Sequence, residues 1–298
     1  MKAVDLFCGA GGSSIGAEQS GRVIVVAAVN HWQRAVETHA ANHPHTRHFC
    51  QDAALLDPAK LPAHDLLLAS PECRGHCRAR GKEQVRHDKS RATAWCVVNV
   101  AEITQPRAIV VENVPEFLCW TLFPHWSSAL EALGYFLSWS ILDSADFGIP
   151  QHRERLYVFA TKQKRPVVID APGKRVPIRD VIDLSLGSWS PIADHCAKTV
   201  RRARNGRDRF GDFFVMPYYG SGSGETGRSV DRPIGTVTTR DRWAIVNGDN
   251  MRMFTVREYQ RAMGFPDSYQ LTGTRQEQIW QLGNAVVPPV MSAICAAL

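Results

Sequence analysis

The side chains best suited to chemistry lie where a short apolar stretch, Leu66 to Ala69, runs into Ser70-Pro71. A short apolar run that ends at turn residues is typical of a buried parallel strand followed by a loop. Cys73 comes just after this strand, and the loop around it is rich in cations: Arg74, His76, Arg78, Arg80 and Lys82. A thiol beside cations is held partly as thiolate, the nucleophilic form of sulfur, and the same cations attract a polyanion. Cys73 is therefore a candidate nucleophile; the alternative is a small buried hydrophobe, as many cysteines are.

A second reactive group follows another predicted strand. Ala108 to Val111 is a short apolar run that delivers Glu112 at its carboxyl end. Reactive groups gather at the carboxyl ends of strands in open α/β sheets, so Cys73 and Glu112 are expected to converge. A carboxyl group that emerges from an apolar strand tends to have its pKa raised by desolvation and to serve as a proton donor. The alternative is an ordinary loop acid.

Gln151, Arg153 and Arg155 lead into the apolar run Leu156 to Ala160 and share one face if the chain is extended there. Two guanidinium groups and an amide on one face suit a phosphate or the polar edge of a base. The alternative is a solvated, charged strand edge.

The first strand and its turn predict a nucleotide-type cradle. Ala3 to Phe7 breaks into a loop with Gly9, Gly11 and Gly12, and a helical pattern begins near Ile15. Glycines let the backbone approach a ligand, and the free N–H groups of a helix start face it. The loop lacks the full G-x-G-x-x-G spacing, which argues against a nicotinamide cofactor. Its Phe-x-Gly-x-Gly spacing is typical of S-adenosylmethionine sites; the alternative is a plain tight turn.

The second strand, Val23 to Val29, ends at His31 and Trp32. Such folds hold a ribose at this point, usually with an acid, and this chain has His31 instead. Trp32 can stack on an adenine ring, or it is a core aromatic beside a helix start. Asp52 follows a further short run, and its carboxylate could accept from an adenine amino group.

The composition is that of an ordinary globular protein. The 298 residues are 44% hydrophobic and 21% charged, enough for one large core and a smaller appended domain. Thirty-five Lys and Arg against 29 Asp and Glu give a net charge of +6, which suits an anionic partner. The apolar spacing over Lys89 to Thr104 predicts a helix that ends before Pro106.

Several classes of protein are disfavoured. The eight cysteines are scattered and form no C-x-x-C pair, so we expect neither a metal site nor a disulfide framework. No signal-peptide pattern precedes the first strand, and no apolar run looks long enough to span a bilayer. We therefore expect a cytoplasmic protein with no membrane partner.

The order of these motifs resembles that of the DNA (cytosine-5) methyltransferases of bacteria and their phages. The resemblance covers nearly the whole chain, except mainly residues 162–231, and the ordered set is far more specific than any one motif. The matching stretches are Asp5 to Gly12, Pro71-x-Cys73, Glu112 to Val114, Gln151-x-Arg153-x-Arg155, Arg232 to Val237, Arg257 to Tyr269 and Gly283 to Pro288.

The resemblance implies an α/β fold with a doubly wound, Rossmann-like, S-adenosylmethionine-dependent methyltransferase domain. A second, smaller β-rich domain would recognise the target in double-stranded DNA. The boundaries predicted are 1–165 plus 275–298 for the catalytic domain, 166–250 for the recognition domain and 251–274 for a helical hinge. We expect a monomer without an obligate protein partner; the resemblance also allows functional pairing with a restriction endonuclease.

The resemblance also implies a role for each reactive residue. Cys73 would add to carbon 6 of a cytosine that has flipped out of the duplex, and Glu112 would hydrogen-bond ring N3 and the exocyclic amine. Carbon 5 would then take the methyl group. Arg153 would hold the carbonyl oxygen of the base, with Arg155 bracing that site. The base that removes the carbon 5 proton is not identified; water is a candidate.

Two further sets of residues are carried over from the resemblance. The stretch from Arg74 to Arg91 would be a mobile catalytic loop with Gly75 and Gly81 as hinges. The cofactor would be held by Phe7, Gly9, Gly11, Gly12, His31, Trp32, Asp52 and Asn284. DNA would be bound by Arg74, Arg78, Arg80, Arg155, Arg202 and Arg204.

The sequence departs from the family pattern at three places. Glu72 separates Pro71 from Cys73, where the family has Pro and Cys adjacent, and an acid beside the nucleophile disfavours thiolate unless the arginines offset it. His31 replaces the usual ribose-binding acid. The variable region is short, with an arginine-rich stretch from Val200 to Phe210 and small residues from Gly220 to Gly224. Two alternatives remain: a tRNA cytosine-5 methyltransferase, and a DNA-binding homologue with altered catalysis.

Overall fold

The computed structural model describes residues 1–73, 75–76, 90–218 and 225–298. Its larger sheet has seven strands in the order β3-β2-β1-β4-β5-β7-β6. The neighbours from β3 to β5 pair in parallel, whereas β7 is antiparallel to β5 and β6. The strands are β1 Lys2–Leu6, β2 Ile24–Asn30, β3 Arg47–Cys50, β4 Leu66–Ala69, β5 Ala108–Asn113, β6 Phe136–Asp143 and β7 Glu154–Thr161.

Helices cover both faces of this sheet, because β1, β4 and β5 are apolar on both sides and need cover on both. The helices in this part of the chain are α1 Gly12–Gln19, α2 Gln33–Asn42, α3 Trp95–Thr104 and α4 Phe123–Ala132. The predicted helix over Lys89 to Thr104 is interrupted: residues 90–92 are helical, a turn follows, and α3 then begins at Trp95; Lys89 lies outside the described residues.

The second sheet is smaller and antiparallel, with the order β10-β9-β11-β12-β8. Its strands are β8 Ser190–Pro191, β9 Phe213–Pro217, β10 Arg228–Ser229, β11 Trp243–Asn247 and β12 Asn250–Met253. One helix, α5 (Ala197–Phe210), packs on it so closely that a Cβ at Gly206 would lie 2.3 Å from the Phe214 ring. The sheet extends to Met253, three residues past the boundary predicted at 250.

The end of the chain returns to the first sheet through α6 (Val256–Ala262), α7 (Arg275–Asn284) and α8 (Pro288–Ala297). Helix α8 packs on α1 at Gly16, where a Cβ would lie 2.4 Å from the Pro288 carbonyl oxygen. Apolar clusters fill both faces of the seven-stranded sheet, and one of them continues under the smaller sheet. The predicted fold class is confirmed.

The segment Arg275–Ala297 is long and apolar enough to cross a membrane by length and composition, so the expectation that no run would be was wrong. The segment consists of α7 and α8 with a break between them, and 67% of its apolar window is buried inside the protein. Its apolar composition is explained by this burial in the core.

Candidate active site

A cavity of about 400 Å³ opens at the carboxyl ends of the central strands. Strands β1, β2, β4 and β5 each deliver residues to its wall just after or at their last residues. Strand β7 contributes its beginning, because an antiparallel strand brings its amino end to the same edge. The cavity is lined by Phe7, Gly9, Ala10, Asn30, His31, Trp32, Ala35, Ser70, Pro71, Glu72, Cys73, Glu112, Val114, Arg153, Arg155, Trp280, Gln281, Gly283 and Asn284.

Cys73 and Glu112 line this one cavity, although 39 positions of sequence separate them. Asn113 joins their loops: its Nδ2 donates to the Pro71 carbonyl oxygen at 3.2 Å, and its Oδ1 accepts from the Val114 N–H at 2.9 Å. Asn113 is buried, so these bonds are shielded from water. The end of β5 therefore fixes the turn that carries Cys73.

Glu112 is only 8% exposed and pairs with Arg155, whose Nε lies 3.1 Å from Oε1. Burial raises the pKa of Glu112, and the charges of Arg155 and Arg153 partly offset that rise. The carboxyl group therefore holds a proton more readily than an exposed glutamate does. One carboxyl oxygen is held by the guanidinium group, which fixes the side chain for a contact through the other.

Arg153 lines the cavity, but its guanidinium group donates hydrogen bonds to backbone carbonyls. Nη1 donates to the Val237 carbonyl at 3.1 Å, and Nη2 donates to the carbonyls of Gly283 and Ala285 at 3.0 and 3.1 Å. Arg153 is 4% exposed. It therefore ties β7 to the segment before β11 and to the end of α7, in contrast to Arg155, which contacts Glu112.

Gln151 does not join these arginines in the cavity, although an extended chain would align the three. Its side chain is buried, where Nε2 donates to the Ala262 carbonyl at 2.8 Å and Oε1 accepts from the Val237 N–H at 2.8 Å. The expectation of a polar face for a base or phosphate is therefore wrong for Gln151. The residue instead links the start of β7 to the end of α6.

The glycine-rich loop folds tightly around the cavity wall. Phe7, Gly9 and Gly11 have φ angles of 60°, 51° and 88°, in the left-handed region, and the Gly11 N–H donates to the Cys8 carbonyl at 2.8 Å. A side chain at Gly9 would be strained by that φ. A cavity of this volume, lined by the aromatic residues Phe7, Trp32 and Trp280 and by several polar groups, fits S-adenosylmethionine.

The predicted cofactor residues divide into two groups. Phe7, Gly9, His31, Trp32 and Asn284 line the cavity. The other three do not: Gly11, Gly12 and Asp52 lie outside its lining.

Each of these three residues has another structural role. A Cβ at Gly11 would lie 2.3 Å from the Tyr269 hydroxyl, and one at Gly12 would lie 2.1 Å from the Val286 carbonyl oxygen. Asp52 is exposed, and its Oδ1 accepts from the Ala54 N–H at 2.9 Å. The two glycines are thus explained by close packing behind the loop, and Asp52 by capping a short helical turn.

Behind the glycine-rich loop, buried polar side chains form a chain of hydrogen bonds. The Ser14 hydroxyl donates to Asp5 Oδ2 at 2.7 Å and lies 2.8 Å from His39 Nε2, while His39 Nδ1 lies 2.8 Å from His48 Nε2. Burial raises the pKa of Asp5 to about 7 and lowers that of His39 well below its usual range. A proton-holding carboxyl and a neutral imidazole therefore support the loop.

The sequence did not single out several lining residues, among them Asn30, Trp280 and Gln281. Asn30 ends β2 and its Oδ1 accepts from the Trp32 N–H at 2.9 Å, which sets the direction of the chain at that wall. Trp280 precedes Asn284 by four residues on α7, so the two share one face of the helix. That spacing is a signal from which Trp280 could have been found.

The predicted DNA-binding arginines fall in different environments. Arg204 is exposed on α5, but Arg202 is 7% exposed with its guanidinium carbon 5.4 Å from the Tyr218 ring centroid. A direct DNA contact for Arg202 is therefore corrected to a packing role, because its side chain points into the domain. Arg201 is the exposed neighbour.

The other predicted DNA-binding residues lie elsewhere. Arg155 contacts Glu112 inside the cavity. Arg74, Arg78, Arg80 and Gly81 lie outside the described residues, as do Gly220 to Gly224.

Comparison with known proteins adds three findings. The sequence matches the family described as C-5 cytosine-specific DNA methylase over residues 1–298. It is 29% identical to the Type II methyltransferase M1.HphI of Haemophilus parahaemolyticus and 27% identical to M.DsaV of Dactylococcopsis salina, each over 99% of this chain and 86% and 84% of those proteins.

A solved structure shares the fold. A protein encoded within a prophage in E. coli, described as a DNA modification methyltransferase, superposes with a TM-score of 0.75 at 20% identity. The superposition covers 100% of this chain and 98% of that one. Because the family match spans every residue, the chain belongs to the C-5 cytosine-specific DNA methylases, the S-adenosylmethionine-dependent enzymes that methylate cytosine in DNA.

Proposed function

We propose that this protein methylates carbon 5 of a flipped-out cytosine in duplex DNA through a covalent bond between Cys73 Sγ and carbon 6 of the base. The observation that carries this proposal is one cavity lined by Cys73, by the buried Glu112 and by the glycine-rich loop at Gly9. A nucleophile, a buried carboxyl group and a cofactor cradle within one cavity are the parts that this reaction needs.

The order of bond changes follows from the chemistry of the ring. Cys73 Sγ adds as thiolate to carbon 6, while Glu112 donates a hydrogen bond or its proton to N3 and so draws electrons from the ring. S-adenosylmethionine, when bound, supplies the methyl group as an electrophile. The electron pair that reaches carbon 5 would form the bond to that methyl while the methyl–sulfonium bond breaks, so that the cofactor would leave as its neutral thioether. A base, for which water is the candidate, then takes the carbon 5 proton; the electrons of that C–H bond expel Sγ as thiolate, and N3 returns any proton it received to Glu112, which restores the aromatic ring.

The raised pKa of Glu112 supports its role as the acid. A carboxyl group with a raised pKa keeps its proton to a higher pH than an exposed glutamate does, so the proton is more readily available for N3. The unprotonated oxygen of the same carboxyl can accept from the exocyclic amine of cytosine. A single side chain can therefore serve two adjacent positions of the base.

The contacts of the two arginines favour the reverse of the roles expected from the sequence. Arg155 pairs with Glu112 at the cavity wall, whereas Arg153 donates to three backbone carbonyls. We therefore assign Arg155 to the carbonyl oxygen of the base, where negative charge gathers, and Arg153 to bracing the two parts of the chain.

The cofactor would be held by the residues of the cavity wall that β1, β2 and α7 deliver. Phe7 and Trp32 offer aromatic faces to an adenine, and Gly9 leaves room for the ligand beside the backbone. His31 can hydrogen-bond a ribose hydroxyl in place of an acid, and Asn284 adds an amide at the mouth.

Base flipping follows from where the reactive groups lie. The ring atoms attacked are stacked inside a duplex, and the cavity that holds Cys73 and Glu112 is recessed at the strand ends, so the base must leave the stack to reach them. The partner proposed is double-stranded DNA, bound by a monomer between the catalytic part and the smaller sheet, with exposed arginines of α5 on the phosphates. The Type II names of the relatives favour pairing with a restriction endonuclease.

Transfer of a labelled methyl group tests the proposal. The protein and a Cys73→Ala variant are incubated with labelled S-adenosylmethionine and either duplex DNA or tRNA. We expect label on cytosine carbon 5 of DNA from the wild type and none from the variant. Label on tRNA alone would show that the substrate is tRNA and not DNA. Equal transfer by the wild type and the Cys73→Ala variant would refute the mechanism.

A second candidate is a DNA-binding homologue with altered catalysis, which Glu72 beside the nucleophile favours. Glu72 lines the cavity and adds a carboxylate next to Cys73. Tight binding of S-adenosylmethionine and DNA without transfer to either nucleic acid would select this alternative over the enzyme.

A further inference from the structure

Two hydroxyl groups hold the backbone on both sides of Cys73. The Thr93 hydroxyl accepts from the Glu72 N–H at 3.0 Å. The Ser90 hydroxyl donates to the Glu72 carbonyl at 3.3 Å and accepts from the Gly75 N–H at 3.1 Å. Ser90 is 4% exposed. Both polar groups of the Glu72 backbone are thus taken by side chains from residues 18 and 21 positions further along the chain.

Each of the two hydroxyls both donates and accepts a hydrogen bond in this arrangement. A hydroxyl can donate one hydrogen bond, and Thr93 Oγ1 gives its own to the Ser90 carbonyl at 2.6 Å while it accepts from Glu72. Ser90 Oγ likewise donates once and accepts once. Asn113 holds the Pro71 carbonyl from the other side. Three side chains from two separate elements therefore hold the Pro71 carbonyl, the Glu72 N–H and carbonyl, and the Gly75 N–H two residues after Cys73.

The Glu72 N–H is the group that makes this arrangement particular to the chain. Where the family resembled has a proline next to the cysteine, the ring fixes φ and no N–H exists. With glutamate at position 72, φ is free to vary and an additional donor must be satisfied in a partly buried turn. The Thr93 hydroxyl supplies the acceptor, and the bond restricts the backbone that the ring would have restricted.

We propose that Thr93 and Ser90 are positioning residues for the Cys73 nucleophile, and that the Thr93 bond to the Glu72 N–H replaces the rigidity of a proline. This inference rests on the proposed function, since it concerns the placement of the sulfur that attacks carbon 6. A small misplacement of a nucleophile strongly lowers the rate of attack, even where binding is unchanged.

Three variants separate positioning from bulk stability. Thr93→Val removes the hydroxyl at nearly constant volume, Thr93→Ser keeps it, and Glu72→Pro removes the N–H that the hydroxyl accepts. Single-turnover methyl transfer, dissociation constants for DNA and S-adenosylmethionine, and the melting temperature are measured for each. We expect Thr93→Val to lower the single-turnover rate roughly 10- to 100-fold with both dissociation constants within about 3-fold of wild type. Thr93→Ser should restore most of the rate.

A double-mutant cycle gives the sharper test. In the Glu72→Pro background, Thr93→Val should lower the single-turnover rate by less than about 3-fold. The N–H that the Thr93 hydroxyl accepted is gone there, and the proline ring fixes φ. Ser90→Ala is the matched control. The partners of the Ser90 hydroxyl, the carbonyl of residue 72 and the Gly75 N–H, persist in the Glu72→Pro background. Ser90→Ala should therefore lower the single-turnover rate by the same factor in the wild-type and Glu72→Pro backgrounds. Equal costs of Thr93→Val in the two backgrounds, or a loss that follows the melting temperature alone, would overturn the proposal.

Failure of this inference and failure of the proposed function look different. If Cys73→Ala still transfers methyl groups, the nucleophile is misassigned and the function fails. If transfer requires Cys73 but Thr93→Val matches the wild type, only the positioning role fails.

Discussion

The carboxyl edge of the seven-stranded sheet and the helix α5 that packs on the five-stranded sheet handle their polar side chains in opposite ways. At the carboxyl edge of the seven-stranded sheet, polar groups are buried and paired: Glu112 with Arg155, Arg153 with three backbone carbonyls, Asn113 with the Pro71 carbonyl. On the five-stranded sheet, charges such as Arg201 and Arg204 lie on the exposed face of α5, and the one arginine of that trio that is buried, Arg202, packs on Tyr218.

The difference reflects what each region has to do. Bond-making chemistry needs atoms placed within fractions of an ångström, and strand ends with buried hydrogen bonds provide that placement. Attraction of a polyanion needs only positive charge at a surface. We therefore expect substitutions at the first sheet to change the rate of methyl transfer, and substitutions on α5 to change DNA affinity.

The largest effect is expected from Glu112→Gln. The amide keeps the size of the side chain but cannot donate a proton, so the single-turnover rate should fall about 10²-fold or more. DNA affinity should stay within about 3-fold of wild type, since α5 is untouched. Because burial raises the pKa of Glu112, the wild-type rate should fall as pH rises above the usual carboxyl range, and the variant should lack this alkaline loss. A variant with a nearly wild-type rate would contradict the assignment.

The next contrast compares two arginines of the first sheet. Arg155→Lys should lower the rate roughly 10-fold or more, because a point charge cannot pair with Glu112 and reach the base in the same geometry. Arg153→Lys should instead lower the free energy of unfolding by about 3 kcal/mol, since three carbonyls lose a planar donor. Single-turnover rates and chemical denaturation measure the two. A large rate loss in Arg153→Lys at unchanged stability would restore the roles expected from sequence.

On the second sheet, the expected effect is on binding. Arg201→Ala and Arg204→Ala should each reduce the slope of log K against log salt by about 1, with little change in the saturated rate. Arg202→Ala is the matched control on the same helix: its buried side chain should affect stability and leave the slope unchanged. Salt titrations of DNA binding distinguish the three. Equal slopes for all variants would remove α5 from the DNA interface.

The smallest effect concerns the support behind the cavity. The pKa of Asp5 is raised from 3.8 to about 7, so its folded state binds a proton more tightly than the unfolded chain does. Stability therefore falls as pH rises from 4 toward 7, because ionising the buried carboxyl costs free energy. Asp5→Asn removes this cost. The free energy of unfolding of the variant, relative to that of the wild type, should therefore increase by on the order of 2 kcal/mol as the pH rises from 5 to 8.

A matched control for Asp5→Asn comes from the other sheet. Asp208 lies on the exposed face of α5, so Asp208→Asn controls for the general effect of exchanging a carboxylate for an amide on stability. Denaturation at several pH values compares the two variants. A pH-independent difference for Asp5→Asn would show that the carboxyl is already ionised in the fold.

The sequence predicted the parts of this site that depend on strand ends. Cys73 and Glu112 each follow an apolar run. The sequence alone predicts that the carboxyl ends of such runs lie side by side at one edge of a sheet. Gly11, Gly12 and Asp52 were assigned to the cofactor because a motif does not say which side of a loop faces the ligand. Their actual neighbours, Tyr269, Val286 and Ala54, include two that lie more than 250 residues away.

The proposed exchange of roles between Arg153 and Arg155 has a similar cause. Side chains two residues apart in an extended chain share a face, so periodicity cannot distinguish them. The distinction comes from the carbonyls of Val237, Gly283 and Ala285, which reach Arg153 only in the folded protein. The bond between Thr93 and Glu72 was likewise invisible, because nothing in the sequence pairs a hydroxyl with an N–H 21 residues earlier.

The most direct measurement is covalent trapping on duplex DNA that contains 5-fluorocytosine. Fluorine at carbon 5 leaves no proton to remove after methylation, so Sγ cannot be expelled and the adduct persists. With S-adenosylmethionine present, we predict a stable protein–DNA complex whose peptide mass places the modified base on Cys73, and no complex with Cys73→Ala. A wild-type protein that methylates ordinary DNA yet yields no adduct, or one attached to another residue, would contradict the account.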